Sequence, residues 1–337
     1  MGCVLFLGFP SETLGQTSNG KIWAWGHNGF GQSDVPSPNT GFIAIAAGFY
    51  HSLALENLDS APPGTSATIS PSPNLAGWNN LDAVVTLSAE DNEGGTGVKE
   101  IRYSLTGATS VPVTSVPGNS AQINISAEGT TNLNYWAVDN AGNEEATKTQ
   151  QIYIDKTPPL ISGSINPAPN AAGWNNADVT VSFSASDGLS GIASITPPQT
   201  ISSEGAGQTI SGEAVDKAGN AATTHVVVNI DKSAPVITIT ATPNILWPPN
   251  NKMVNVKIGG SAVDGISGIS SITFKVKDEY GKVEPAITGF GSSIQLEASR
   301  DGNDMDGRVY TITVVVRDKA GNERTASTTV LVPHDQR

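Results

Sequence analysis

Strict alternation of apolar and polar side chains is the clearest pattern along this chain. Val179, Val181, Phe183 and Ala185 are interleaved with Thr180, Ser182, Ser184 and Ser186, and a period of two sends one set to a buried face and the other to water. Val85, Leu87 and Ala89 repeat the pattern upstream, and Val226, Val228 and Ile230 repeat it downstream. In the last third, the runs Val254, Val256, Ile258 and Ile312, Val314, Val316 are expected to pair with each other as neighbouring strands. No window of about 11 to 18 residues places apolar residues at helical spacing. The expected fold class is therefore all-β, with antiparallel sheets packed on one face and wet on the other.

The alternating runs belong to a larger repeat. Val85, Leu87, Ala89 and Asp91 match Val181, Phe183, Ala185 and Asp187 at a constant offset of 96, each after a Gly-Trp-Asn-Asn turn, Gly77 to Asn80 and Gly173 to Asn176. Ile125-Ser-Ala-Glu128-Gly129 matches Ile201-Ser-Ser-Glu204-Gly205, and each leads to Asp-x-Ala-Gly-Asn, at Asp139 to Asn143 and Asp216 to Asn220. A third copy of that turn stands at Asp318 to Asn322. Ile154-Asp155-Lys156-Thr157-Pro158 and Ile230-Asp231-Lys232-Ser233-Ala234-Pro235 close one repeat and open the next, and Asp264-Gly-Ile-Ser-Gly268 repeats Asp187-Gly-Leu-Ser-Gly191 at an offset of 77. Three modules are expected, over residues 58–156, 157–232 and 233–337. The middle one, 76 residues long, would bury only about 60–65% of its unfolded surface and is expected to lean on neighbours or ions.

These landmarks resemble the immunoglobulin-like repeats of bacterial surface proteins, which occur in tandem in adhesins and in large secreted enzymes. The resemblance rests on Glu128-Gly129, Tyr135-Trp136, Asp139 to Asn143 and Asp155 to Pro158. It departs in the second module, where Ile210-Ser-Gly212 replaces the aromatic strand, and the third, with Leu246-Trp247-Pro248-Pro249-Asn250, looks like a related variant. The implied fold is three tandem immunoglobulin-like β-sandwiches. Upstream, Trp23-Ala-Trp25-Gly26-His27-Asn28, Gly31-Gln32 and Gly48-Phe-Tyr-His51-Ser-Leu-Ala-Leu55 are similar to one repeat of the regulator-of-chromosome-condensation propeller family. Residues 20–57 are thus expected to form a single, partial propeller-type repeat, whose fold needs several blades to close. Residues 1–19 read either as an apolar leader ending near Ser18 or as a truncated start without the expected basic residues.

Composition narrows the function classes. The 337 residues exceed one core, and only 15% are charged, with 36 glycines and 21 prolines marking frequent turns. A net charge of −13 and only 18 basic residues exclude nucleic acid as an expected partner. The lone Cys3 excludes an intramolecular disulfide, and no apolar run is long enough for a transmembrane segment. His27, His51, His225 and His334 are scattered and fit no nucleophile or metalloprotease motif, while Gly94, Gly95 and Gly97 precede no Lys-Ser and read as a turn. No enzyme is expected.

Two chemical possibilities remain. Asp91, Asp187 and Asp264 follow the second strand of each module, Asp139, Asp216 and Asp318 open the Asp-x-Ala-Gly-Asn turns, and Asp155 and Asp231 lie at the exits. Carboxylates at the poles of a sandwich are suited to calcium. The simpler alternative is turn chemistry, with Asp and Asn capping local N–H groups and Gly142, Gly219 and Gly321 at positive φ. The acidic run Asp301 to Gly307 misses the EF-hand pattern at Met305 and Ile312 and is read as a hairpin tip. Trp78 and Trp174 would serve as a carbohydrate-stacking platform or, more simply, as turn anchors. The resulting expectation is a non-catalytic extracellular spacer or adhesive stalk of a prokaryotic surface or secreted protein, with an extracellular protein or glycan as partner. The alternative is a set of carbohydrate- or protein-binding accessory modules of a large secreted hydrolase.

Overall fold

The computed structural model describes Gly29, Gly31, Asp34, the strands over residues 42–47 and 52–56, and residues 59–282 and 285–335. Among these residues there is no helix, so none is long and apolar enough to cross a membrane. β1 (Phe42–Ala47) and β2 (Ser52–Glu56) form an antiparallel pair. The Trp23, Trp25, His27 and His51 positions of the expected propeller-type repeat, and the apolar start over residues 1–19, lie outside the described residues.

The first sandwich holds β3 (Gly64–Ser70), β4 (Ala83–Glu90), β5 (Val98–Gly107), β6 (Val111–Pro117), β7 (Ser120–Ile125), β8 (Gly129–Asp139) and β9 (Lys148–Ile154). They form a three-stranded sheet, β3-β4-β7, and a four-stranded one, β6-β5-β8-β9. Val85 and Leu87 on one sheet and Ile101, Leu133 and Tyr135 on the other meet in a single core, as the period of two requires. The edge strand β6 is absent from the other two sheet pairs.

The next strands are β10 (Leu160–Asn166), β11 (Val179–Ser186), β12 (Ile192–Ile195), β13 (Gln199–Ile201), β14 (Gly205–Asp216) and β15 (Ala221–Ile230). They pair as β10-β11-β13 and β12-β14-β15. Their core is the smallest of the three, built on Val179, Val181, Phe183, Val228 and Ile230. Here the missing aromatic of β14 is compensated across the sandwich. Gly212 stands where the first repeat has Tyr135, and Phe183 stands where it has Leu87, so the large side chain has changed sheets. A Cβ on Gly212 would lie 2.5 Å from the Phe183 ring, and one on Gly163 would overlap the Val226 side chain.

The last strands are β16 (Val236–Thr242), β17 (Met253–Val263), β18 (Ile269–Asp278), β19 (Ser293–Glu297), β20 (Arg308–Asp318) and β21 (Glu323–Val332), arranged as β16-β17-β19 and β18-β20-β21. This corrects two expectations. The Val254 and Ile312 runs are not sheet partners: β17 pairs with β16 and β19, and β20 pairs with β18 and β21. Val256, Ile258 and Ile312 instead share one core from opposite sheets, because alternation specifies which face is buried and not which neighbour supplies the hydrogen bonds. The acidic run Asp301 to Gly307 is likewise not a hairpin tip, since it connects β19 and β20, which lie in different sheets.

The third sandwich also buries a charge. The side chain of Arg308 is 1% exposed and forms a two-pronged pair with Asp278, Nε to Oδ1 at 2.8 Å and Nη2 to Oδ2 at 3.0 Å. Its Nη1 donates to Ser299, and the guanidinium lies 4.5 Å from the Tyr310 ring centre and 5.1 Å from that of Tyr280. Burial works against both charges. Hydrogen bonding to Arg308 nevertheless holds the Asp278 carboxyl below the ordinary carboxylate range, and bonding to Asp278 raises the Arg308 guanidinium.

By proximity the chain divides into two compact units. One ends at Pro158 and takes in Gly188–Gly191 and Asp216–Asn220; the other holds Pro159–Asp187, Ile192–Val215 and the remainder from Ala221.

Candidate metal centres and module ends

The Asp-x-Ala-Gly-Asn turn builds one wall of each candidate centre. In the second unit, Asp318 ends β20 and its Oδ1 accepts the backbone N–H groups of Gly321 and Asn322 at 2.6 and 2.8 Å. Gly321 takes a φ of 99°, a left-handed conformation that side-chain-bearing residues avoid. The Asn322 amide then donates to Asp318 Oδ2 at 2.8 Å and to the linker carbonyls of Asp231 and Ser233 at 2.8 and 3.3 Å. Turn capping is therefore a real role of these residues, and it draws the incoming linker against the turn.

The linker supplies the second carboxylate. Asp231 is buried, its Oδ1 accepting Ser233 N–H and its Oδ2 accepting Ser267 N–H, both at 3.0 Å. Asp264, directly after β17, caps Ile266 and Gly268. Asp231, Asp264 and Asp318 thereby bring one carboxylate oxygen each within 4.8 Å of one another. All the bonded donors are neutral N–H or O–H groups. At an effective permittivity near 20, like charges about 5 Å apart would repel by about 3 kcal/mol.

The first unit contains the same arrangement with a residue that sequence reasoning missed. Asp59 joins Asp91 and Asp139 within 4.8 Å. Its Oδ2 accepts Thr96 N–H at 2.8 Å, and its carbonyl accepts the Asn143 amide at 3.1 Å. The Thr96 backbone N–H holds the Asp59 carboxyl below the ordinary range. A signal was available: Asp59-Ser-Ala-Pro62-Pro63 has the spacing of Asp155-Lys-Thr-Pro158-Pro159, but it lacks the Lys and follows no repeat of the same kind.

Asp155 and Asp216 make the corresponding contacts within the first unit. Asp155 Oδ2 accepts Ser190 N–H at 3.0 Å, its carbonyl accepts the Asn220 amide at 2.9 Å, and Asp216 caps Gly219 and Asn220. Asp187 follows β11 as Asp91 follows β4. The Glu-Gly positions clamp the linkers: Glu128 accepts Lys156 N–H and Thr157 Oγ1–H, and Glu204 accepts Lys232 N–H and Ser233 Oγ–H. Lys156 and Lys232 pair with Asp82 and Asp178 at 2.8 and 2.9 Å.

Trp78 and Trp174 are half-buried on the loops before β4 and β11. Trp78 packs on Tyr153 with ring centres 5.3 Å apart, and the backbone N–H groups of both tryptophans bond to Asn74 and Asn170. His225 is exposed on β15, where alternation places it.

Residues 85–156 and 250–333 match the family described as bacterial Ig-like domain. These stretches fall in the first and third sandwiches, so the chain carries Ig-like repeats in tandem. No curated protein matches it. Among solved structures, the chain is similar to fibronectin(III)-like modules of Clostridium thermocellum CbhA, at 17% identity and a TM-score of 0.27 over 49% of this chain and 95% of that one. It is also similar to a tetra-tandem repeat in the extending region of a large adhesion protein, at 13% identity and a TM-score of 0.31 over 85% and 77%. Extracellular cadherin domains 1-4 of protocadherin gamma B7 match at 14% identity and a TM-score of 0.34 over 84% and 79%.

Proposed function

We propose that this chain is a non-catalytic extracellular spacer or adhesive stalk of a prokaryotic surface or secreted protein, in which calcium stiffens the ends where modules join. The modules are residues 58–156, 157–232 and 233–337. The supporting observation is the recurrence of one acidic set, Asp59, Asp91 and Asp139 in the first unit and Asp231, Asp264 and Asp318 in the second. Asp155, Asp187 and Asp216 hold the corresponding positions of the sequence.

The donor set fits the ion. Calcium takes about six to eight oxygens and tolerates irregular geometry, and each set offers carboxylates with no His or Cys among them. Each centre ties a linker, a strand end and a turn, so occupation opposes bending. A dissociation constant of about 10⁻⁴ M in about 1 mM calcium stabilises a module by about 1.4 kcal/mol. That stiffens a hinge and leaves folding to the cores.

Excess EDTA is accordingly expected to lower the calorimetric melting temperature by about 6–10 °C and to broaden the small-angle scattering profile. Asp318→Asn should abolish the part of the shift that belongs to the third module. Identical melting and scattering curves with and without EDTA would dispose of calcium. Binding on a glycan array that is lost in Trp78→Ala or Trp174→Ala would replace the stalk by accessory modules of a secreted hydrolase.

A further inference from the structure

We infer that the Asn170 side chain is a stereospecific latch that holds the second module on the third independently of any cation. The inference rests on the tandem-module reading and on atoms of the second unit alone. Asn170 Oδ1 accepts two backbone N–H groups of its own loop, Ala172 at 2.9 Å and Trp174 at 3.1 Å. Those two donors fix the orientation of the amide, since a flipped group would set its NH₂ against them. Nδ2 is thereby aimed outward, where it donates to the carbonyls of Lys319 and Ala320 at 2.8 and 3.1 Å.

The acceptors are equally constrained. Lys319 N–H donates to Gly268 O at 2.9 Å, and Ala320 N–H donates to Ser267 Oγ at 3.4 Å. The turn thus presents two carbonyls in one direction, within a framework that Asp318 and Gly321 already hold. A donor with two hydrogens and a fixed plane fits this pair. A carboxylate of the same shape would place oxygen against oxygen.

The first unit repeats the device with the same atoms. Asn74 Oδ1 accepts Ala76 and Trp78 N–H at 2.9 and 3.1 Å, and its Nδ2 donates to Lys217 O and Ala218 O at 2.8 and 3.1 Å. The Asn-x-x-Gly-Trp loop and the Asp-Lys-Ala-Gly-Asn turn are therefore two halves of one joint. The partner that fits the loop is a module of this repeat type carrying that turn. The linker contacts of Asp231 and Asn322 act in parallel with the latch and use other atoms.

Double electron–electron resonance on the full chain tests this, with Cys3→Ser and spin labels at Thr223→Cys and Thr325→Cys, two exposed strand positions. In excess EDTA the otherwise native chain should keep a defined distance peak, wider than with calcium bound yet clearly narrower than the distribution of Asn170→Asp. Asn170→Asp keeps the acceptor for Ala172 and Trp174 and removes the outward donor, so it should lose that peak while its melting curve stays unchanged. Asn170→Ala should lose it as well. A narrow peak in Asn170→Asp, or a broad distribution for the native joint in EDTA, would overturn the latch. Neither result depends on what the chain presents or anchors, so failure of the joint is distinguishable from failure of the stalk reading.

Discussion

Replacing Asp278 by alanine is expected to destabilise the third sandwich by about 3–5 kcal/mol, because it strands the Arg308 guanidinium without its counter-charge. Both side chains are essentially inaccessible to water, so solvent cannot take over from the lost carboxylate. Glu297 and the two tyrosine rings remain as partial partners. Amide exchange of Val314 and Val316 in β20 should accelerate by about two to three orders of magnitude, while exchange of Leu87 and Ile123 in the first sandwich stays as it was. The double substitution Asp278→Ala with Arg308→Met should recover most of the loss, since an apolar chain of similar length needs no counter-ion. Acceleration of less than tenfold in the single variant would show that the pair contributes little.

The same pair sets an acid limit. The folded Asp278 carboxyl lies below its ordinary value of 3.8, so its contribution is complete above that value and is lost as pH falls through the folded-state one. Protection of the β20 amides, exchange corrected for its intrinsic pH dependence, should therefore fall on acidification, and this fall should be much smaller in the double variant.

The second large effect is expected in the middle sandwich. Phe183→Ala removes the ring that fills the space between Gly163 and Gly212 and should cost about 3–5 kcal/mol. Gly212→Tyr should be as damaging for the opposite reason, since its Cβ alone would stand 2.5 Å from the Phe183 ring. Combining Gly212→Tyr with Phe183→Leu recreates the pair that the first sandwich uses, Tyr135 and Leu87. It should restore more than half of the lost protection in β14, measured by amide exchange. An innocuous Gly212→Tyr would mean that the two sheets separate freely, and the compensation would then have no physical content.

Much of this architecture was legible because it is local. Alternation at Val179 to Ala185 marked a half-buried strand, and β11 is one. The Asp-x-Ala-Gly-Asn spacing announced a turn with a left-handed glycine, and Gly142, Gly219 and Gly321 take φ of 94°, 99° and 99°. The aspartates singled out around these turns also fall where linker, strand end and turn meet. Asp59 escaped because the repeat reading began from matching modules, and no module of the same kind precedes it.

What the amino-acid order determined by itself is which face of each strand is apolar, where the chain turns and where carboxylates recur, since each depends on residues a few positions apart. Sheet membership of the Val254 and Ile312 runs was decided only in three dimensions, as were the Phe183 exchange across the core, the Asp278–Arg308 pair and the reach of Asn170 to Lys319 and Ala320. Each of these joins residues about 30 to 150 positions apart, and their selection depends on volume, desolvation and hydrogen-bond direction summed over the packed whole. A pattern of period two carries no record of those sums.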